Sequence, residues 1–204
     1  MIAASFVDVV PLNVPNVLTM IRILLVPVLV VALLEKTGAG DLLAGIVFVV
    51  ASVTDAIDGY LARSRNWVTT FGKLMDPIAD KLLIVAALIA LVSLGRLEAW
   101  VAMVIIAREF AVTVLRVAVG SQQGTVIAAS ALGKLKTAVQ VAMVLALIAV
   151  GAGSRPLWVE LLVYLTVAIT VLSGADYFFG LRRGVGQASP GDQGTASSQA
   201  RRVV

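Results

Sequence analysis

Asn16-Val17-Leu18-Thr19-Met20-Ile21-Arg22-Ile23-Leu24-Leu25-Val26-Pro27-Val28-Leu29-Val30-Val31-Ala32-Leu33-Leu34 is an apolar run in which Arg22 is the sole charge. At about 1.5 Å of rise per residue, a helix of that length crosses the ~30 Å hydrocarbon core of a bilayer. Pro15 and Asn16 mark its start, since proline suits a first helical turn and an Asn side chain caps free N–H groups. Five further blocks repeat the pattern: Leu42–Ala62, Lys73–Leu94, Ala99–Val119, Ala131–Val150 and Leu157–Gly180. Short polar or Gly-rich stretches separate them. The runs are continuous rather than alternating, which argues against a membrane β-barrel. The expected fold class is all-α: a polytopic membrane protein of six transmembrane helices.

Composition points the same way. Hydrophobic residues make up 60% of the 204, against about 45–50% in a soluble domain, and mean hydropathy is +1.01. Met1 to Asn16 has no basic region, and no small-residue cleavage site follows the first run, so that run is expected to be retained as a span. After Gly184 the chain turns to Gly, Ser, Gln and Ala, too little apolar surface to fold. The expected organisation is a membrane domain over residues 1–184 and a disordered cytoplasmic tail over 185–204.

The chain has no Cys and no His, so disulfides, thiolate chemistry and imidazole bases or ligands are excluded. Acid–base or metal chemistry falls to Asp and Glu. The net charge of +4 reads as cytoplasmic loops facing anionic lipid rather than as a nucleic-acid surface. With the N-terminus in the cytoplasm, only Lys36, Arg96 and Arg155 fall in outer loops, and every other Lys and Arg lies toward the cytoplasmic half. That bias puts the N-terminus on the cytoplasmic side of the membrane.

Against this background four carboxylates stand out. Asp55 and Asp58 lie near the end of the second span, and Asp76 and Asp80 near the start of the third. A charged residue inside a span costs roughly 2.5–3.5 kcal/mol on insertion scales. The i,i+3 and i,i+4 spacings put each pair on one helix face, and the short connection makes the two spans antiparallel neighbours. Clustered carboxylates require raised pKa values or a bound cation. Oxygen donors without His or Cys favour a hard ion, Mg²⁺ first, with Mn²⁺ or Ca²⁺ as alternatives. Interfacial pairing with Arg63, Lys73 and Lys81 would account for one pair of acids but poorly for four at helical spacing. Gly59 and Gly72 allow close approach by a ligand or serve helix packing. Arg63 offers a planar fork to a pyrophosphate, or sits at the interface as a snorkelling cation. Pro77 suits the first turn of the third span.

Together these residues read Asp55-x-x-Asp58-Gly59-x-x-Ala62-Arg63, then eight residues, then Gly72-x-x-x-Asp76-x-x-x-Asp80. The segment matches, at every fixed position and spacing, the signature of the CDP-alcohol phosphotransferases, and the resemblance covers about residues 13–180. It implies a transferase that uses a CDP-linked donor and one or two divalent ions, Mg²⁺ or Mn²⁺, in a cavity open to the cytoplasm. Asp55, Asp58 and Asp76 match the family's metal ligands. Asp80 matches the residue that takes the proton of the acceptor hydroxyl, and the same resemblance implies that it also touches metal. Gly59, Ala62, Arg63 and Gly72 match the nucleotide and pyrophosphate contacts. A homodimer is expected by the same resemblance.

Further motifs resemble the bacterial phosphatidylglycerophosphate synthases of that family: Asn13 to Arg22, Arg108-Glu109-Phe110, and Gly133-Lys134-Leu135-Lys136-Thr137. They imply CDP-diacylglycerol as donor and sn-glycerol 3-phosphate as acceptor, with membrane lipid around the enzyme. The residues agree. Arg108 and Arg116 are about 80° apart around a helix, and Lys134 and Lys136 open the fifth span. With Lys81 they form a candidate pocket for an acceptor phosphate, which an uncharged alcohol would not need. Alternatively Arg116, Lys134 and Lys136 are topology charges. Glu109 is expected to pair with a neighbouring cation. Asn16, Thr19 and Arg22 share a face, lining the same cavity or hydrogen-bonding between helices. Rival readings are a family member with another acceptor (phosphatidylglycerol, inositol phosphate or serine), a divalent-cation channel or carrier, and a non-catalytic lipid-binding protein.

Overall fold

The computed structural model describes the backbone over residues 14–65, 70–123, 131–153 and 155–187, and side chains over 17–54, 81–115, 132–153 and 155–178. Those residues form six helices and no strand: α1 (Val14–Leu34), α2 (Gly38–Arg65), α3 (Thr70–Ser93), α4 (Ala99–Gln123), α5 (Ala131–Val150) and α6 (Leu157–Gln187). In hydrocarbon every backbone N–H and C=O must be satisfied within the segment, so apolar runs of this length adopt helix.

Three described stretches are long and apolar enough to cross a membrane by themselves, Val17–Leu34, Leu132–Val150 and Leu157–Phe178, while Gly38–Thr54 and Lys81–Ser93 are shorter apolar stretches. The six expected spans coincide with the six helices, but helices outrun hydropathy at the polar ends. α2 reaches Arg65, α4 reaches Gln123 and α6 reaches Gln187. α3 begins at Thr70, so Pro77 lies well inside it rather than in its first turn. Hydropathy marks where lipid begins, whereas the backbone hydrogen-bond ladder continues for a turn or more beyond. Residues 188–204 of the expected tail lie outside the described residues.

Packing inverts the pattern of a water-soluble protein. Leu24, Leu42, Met103 and Leu157 are 65–70% exposed, while Arg22, Lys136, Gln140, Thr166, Thr170 and Ser173 are at most 5% exposed. Lipid solvates the first set, and the bundle interior shelters the second. The apolar core runs through Leu29, Leu33, Phe48, Leu88, Leu91, Ile105, Met143 and Leu147. α1 packs on both α2 and α3, α5 on α2 and α6, and α4 on α6. Among the described residues, contact between α2 and α3 themselves is slight. α1, packed on both, braces the two helices expected to be neighbours.

At the end of the bundle opposite the aspartate signature, turns and ion pairs close the structure. α3 stops at Gly95, whose φ of +68° is the left-handed conformation that glycine adopts without strain. The Gly95 N–H donates to Val92 O at 3.0 Å and the Arg96 N–H to Leu91 O at 2.9 Å, a Schellman termination. α2 opens on Thr37, whose Oγ1 accepts the Gly40 N–H at 2.9 Å, an N-cap. Asp41 in that first turn accepts two hydrogen bonds from Arg96, Nη1 to Oδ1 at 2.7 Å and Nη2 to Oδ2 at 3.0 Å. This pair shows directly that α2 starts where α3 ends. Glu98 and Arg155 pair between the α3–α4 and α5–α6 turns. Two of the three basic residues read as outer-loop topology charges are therefore tertiary partners.

Candidate active site

Asp55 and Asp58 lie in the last part of α2, and Asp76 and Asp80 in the first half of α3. Since α2 starts where α3 ends, both pairs belong to the same end of the bundle. The side chains of all four, with those of Ala62 and Arg63, and the surroundings of Gly59 and Gly72, lie outside the described residues. The donor chemistry fits a hard divalent cation: four carboxylates at helical spacing on two helices, in a chain without Cys or His. Among the described residues no three potential ligands gather elsewhere.

One residue beyond Asp80, a cluster of cations is described in detail. Lys81 of α3 and Arg108 of α4 both lie within Coulombic reach of the Lys136 ammonium on α5. Lys136 is 5% exposed and forms an ion pair with Glu109 of α4. Arg108 Nη1 stands 3.7 Å from the same Glu109 oxygen. Arg108 Nη2 donates to Ser173 Oγ on α6 at 2.9 Å, and that hydroxyl in turn donates to Thr170 O at 3.1 Å. Arg108 and Lys136 thus meet at one carboxylate, with Lys81 of a third helix within Coulombic reach of Lys136. Low local dielectric strengthens each of these contacts, and makes the ensemble an attractive seat for a further anion.

The other residues assigned to this pocket from sequence stand differently. Lys134 is exposed, because two residues along a helix turn a side chain by about 200°. Arg116 lies outside the described side chains. On α1, Thr19 and Arg22 are buried at 2% and 1% exposure, and Asn16 lies outside the described side chains. Arg22 is among the largest fully buried side chains, on the helix that bridges the two aspartate-bearing helices.

Sequence reading missed three residues. Ser173 and Gly174 on α6 carry no motif, yet the Arg108 side chain lies directly against them. Gln140, one turn beyond Lys136, is 2% exposed, and its Oε1 has no hydrogen-bond partner among the described residues. A polar residue inside a hydrophobic span was the available signal.

Comparison with known proteins follows the same line. Residues 12–172 match the family model described as CDP-alcohol phosphatidyltransferase. The chain is 42% identical over 182 residues to the CDP-diacylglycerol–glycerol-3-phosphate 3-phosphatidyltransferase of Bacillus subtilis, covering 81% of this chain and 93% of that protein. It is 45% identical over 179 residues to a probable phosphatidylglycerophosphate synthase of Mycobacterium tuberculosis, covering 85% and 84%. A Rickettsia felis protein with the same name as the Bacillus one is 37% identical over 170 residues, covering 81% and 93%.

Proposed function

The chain belongs to the CDP-alcohol phosphatidyltransferase family, and on that footing we infer that it transfers the phosphatidyl group of CDP-diacylglycerol to sn-glycerol 3-phosphate. The products are phosphatidylglycerophosphate and CMP, which places the enzyme in phospholipid biosynthesis. The observation that carries the reading is the likeness to proteins named for that reaction, at 37–42% identity over about four fifths of the chain. The convergence of Lys81, Arg108 and Lys136 supports the acceptor, because glycerol 3-phosphate brings a dianionic phosphate that an uncharged alcohol lacks.

In this reading an acceptor hydroxyl oxygen attacks the phosphatidyl phosphorus, and the bond from that phosphorus to the bridging pyrophosphate oxygen breaks. CMP departs with the electron pair. Asp80 takes the hydroxyl proton, which a positioned carboxylate does efficiently. Arg63 and the backbone at Gly59, Ala62 and Gly72 hold the nucleotide and pyrophosphate. Arg108 and Lys136 hold the acceptor phosphate, so that the hydroxyl is presented rather than merely bound. Asp55, Asp58, Asp76 and Asp80 would hold one or two Mg²⁺ or Mn²⁺ ions, whose positive charge would offset the negative charge of the pyrophosphate and the departing CMP. In the same reading the site lies in a bacterial cytoplasmic membrane and opens to the cytoplasm, where both water-soluble partners, glycerol 3-phosphate and CMP, are found.

The test is CMP release from CDP-diacylglycerol by purified protein with Mg²⁺, offered glycerol 3-phosphate, glycerol, inositol 1-phosphate, serine or phosphatidylglycerol. Release only with glycerol 3-phosphate, lost in Asp80→Asn, is expected. Release with a different acceptor alone would keep the family and overturn the acceptor.

A further inference from the structure

We propose that Ser173 and Gly174 of α6 form a seat that fixes the Arg108 guanidinium, making them positioning residues for the phosphate of the acceptor. The inference rests on the reading of Arg108 as an acceptor-phosphate contact.

Arg108 is a long side chain rooted on α4, in the middle of a bundle whose other contacts are mostly apolar. Free, such a side chain samples many rotamers, and ordering it when an anion arrives weakens binding. Here two features of α6 order it beforehand. Ser173 Oγ accepts from Arg108 Nη2 at 2.9 Å, and Ser173 is itself 2% exposed and tied by its hydroxyl proton to Thr170 O. The hydroxyl therefore has one orientation, with a lone pair aimed at Arg108. Next to it, a Cβ placed on Gly174 would stand 3.2 Å from Arg108 Cγ and 3.8 Å from Nε. The methylene stem runs across bare backbone, and an added methyl would push it aside. Glycine at 174 supplies the groove and serine at 173 the stop at its end.

The opposite edge of the guanidinium faces Glu109, 3.7 Å from Nη1, and Glu109 pairs with Lys136 on α5. The seat on α6 thus sets where Arg108 stands relative to Lys136, and hence the spacing of the two cations that a phosphate would bridge. A planar guanidinium binds phosphate oxygens well only in a suitable orientation. Sequence alone gives no hint of this arrangement, because Ser-Gly within a span reads equally well as helix packing.

The experiment measures kcat and both KM values, for glycerol 3-phosphate and for CDP-diacylglycerol, in Ser173→Ala, Gly174→Ala and Arg108→Ala. For Ser173→Ala, loss of one net hydrogen bond predicts a rise of roughly 2–10-fold in the acceptor KM. Gly174→Ala should raise it at least as much. In both, kcat at saturating acceptor and the KM for CDP-diacylglycerol should stay within about twofold of the parent, since the proposal assigns the seat to the acceptor phosphate alone. Arg108→Ala should exceed both, about tenfold or more, as expected for a hydrogen bond to a charged group. If Arg108→Ala raises the acceptor KM and neither α6 variant does, the seat is wrong while the acceptor reading stands. If Arg108→Ala itself leaves the acceptor KM unchanged, the acceptor reading falls and takes the seat with it. A parallel fall in kcat and rise in both KM values for Ser173→Ala would make α6 a packing element only. Should Gly174→Ala fail to fold, the Ser173→Ala measurement decides.

Discussion

Arg96 and Asp41, 55 positions apart in the chain, are joined by two parallel hydrogen bonds of 2.7 and 3.0 Å, Arg96 5% and Asp41 16% exposed. The pair ties the α3–α4 turn to the first turn of α2, at the end of the bundle away from the aspartates. Gly151, closing α5, brings a third element to the same place: a Cβ there would stand 3.2 Å from Asp41 Oδ2. Removing one member of a largely buried pair strands the other charge, at a cost of about 3–5 kcal/mol. Arg96→Ala should therefore lower the thermal midpoint in detergent sharply, and the double variant Arg96→Ala, Asp41→Ala should be less destabilised than the two single losses added together. Strict additivity would show that the two side chains act independently.

Glu98 and Arg155 form a more exposed pair, and the hydrogen bond from Arg155 holds the Glu98 carboxyl below its ordinary value of 4.5. A depressed carboxylate contributes stability above its unfolded pKa and loses it as pH falls through the folded one. Glu98→Gln should cost only about 0.2–1 kcal/mol at neutral pH, as surface pairs do. The difference from the parent should shrink as pH is lowered below 4.5 and at high salt, read from unfolding midpoints across pH 7 to about 3. A difference that grows on acidification would contradict the pairing.

Inside the bundle, Glu109 and Lys136 neutralise each other. Lys136→Met leaves the Glu109 carboxylate short of its partner and should destabilise by about 3 kcal/mol or more. Adding Glu109→Gln should recover much of that loss, because an uncharged pair suits a low-dielectric interior. The same double variant should bind glycerol 3-phosphate poorly, since its cation is gone. Chemical denaturation and an acceptor titration on the same samples separate the two effects.

Asp80→Asn should reduce turnover by about 10²–10⁴-fold, the usual contribution of a general base, with little change in the KM for glycerol 3-phosphate. Chelation of divalent ions should abolish turnover in the parent, and Mg²⁺ should restore it. Retained activity after exhaustive chelation would remove metal from the proposal.

The apolar outer surface offers a test of membrane burial itself. Leu24 is 69% exposed on α1, so in water Leu24→Asp would be mild. Facing hydrocarbon, it should cost roughly 2.5–3.5 kcal/mol of insertion free energy. Membrane fractionation of the expressed variant measures this directly.

Much of the molecule is legible from the chain because lipid imposes simple rules. Leucine- and valine-rich runs such as Asn16–Leu34 must be helices, and α1 and α5 begin and end within a few residues of the apolar limits. Asp55, Asp58, Asp76 and Asp80 announce chemistry because carboxylates at those depths need a reason to be there. Helical periodicity also says which residues share a face, yet the sequence reading set Lys134 beside Lys136 in one pocket, and the structure exposes the first and buries the second. What periodicity cannot say is which helix a face meets. Nothing along the chain tells Arg108 that its partner is Ser173, 65 positions away, or Arg96 that it will close on Asp41 rather than extend into water. Those pairings follow from the packing of six helices of nearly uniform hydrophobicity, where apolar contact is non-directional. The sequence determined helix number, membrane class and the aspartate signature of the family, because those follow from local length, spacing and residue type. The tertiary structure alone decided which cations converge and what orients them, because long-range contacts between helices depend on the whole arrangement at once.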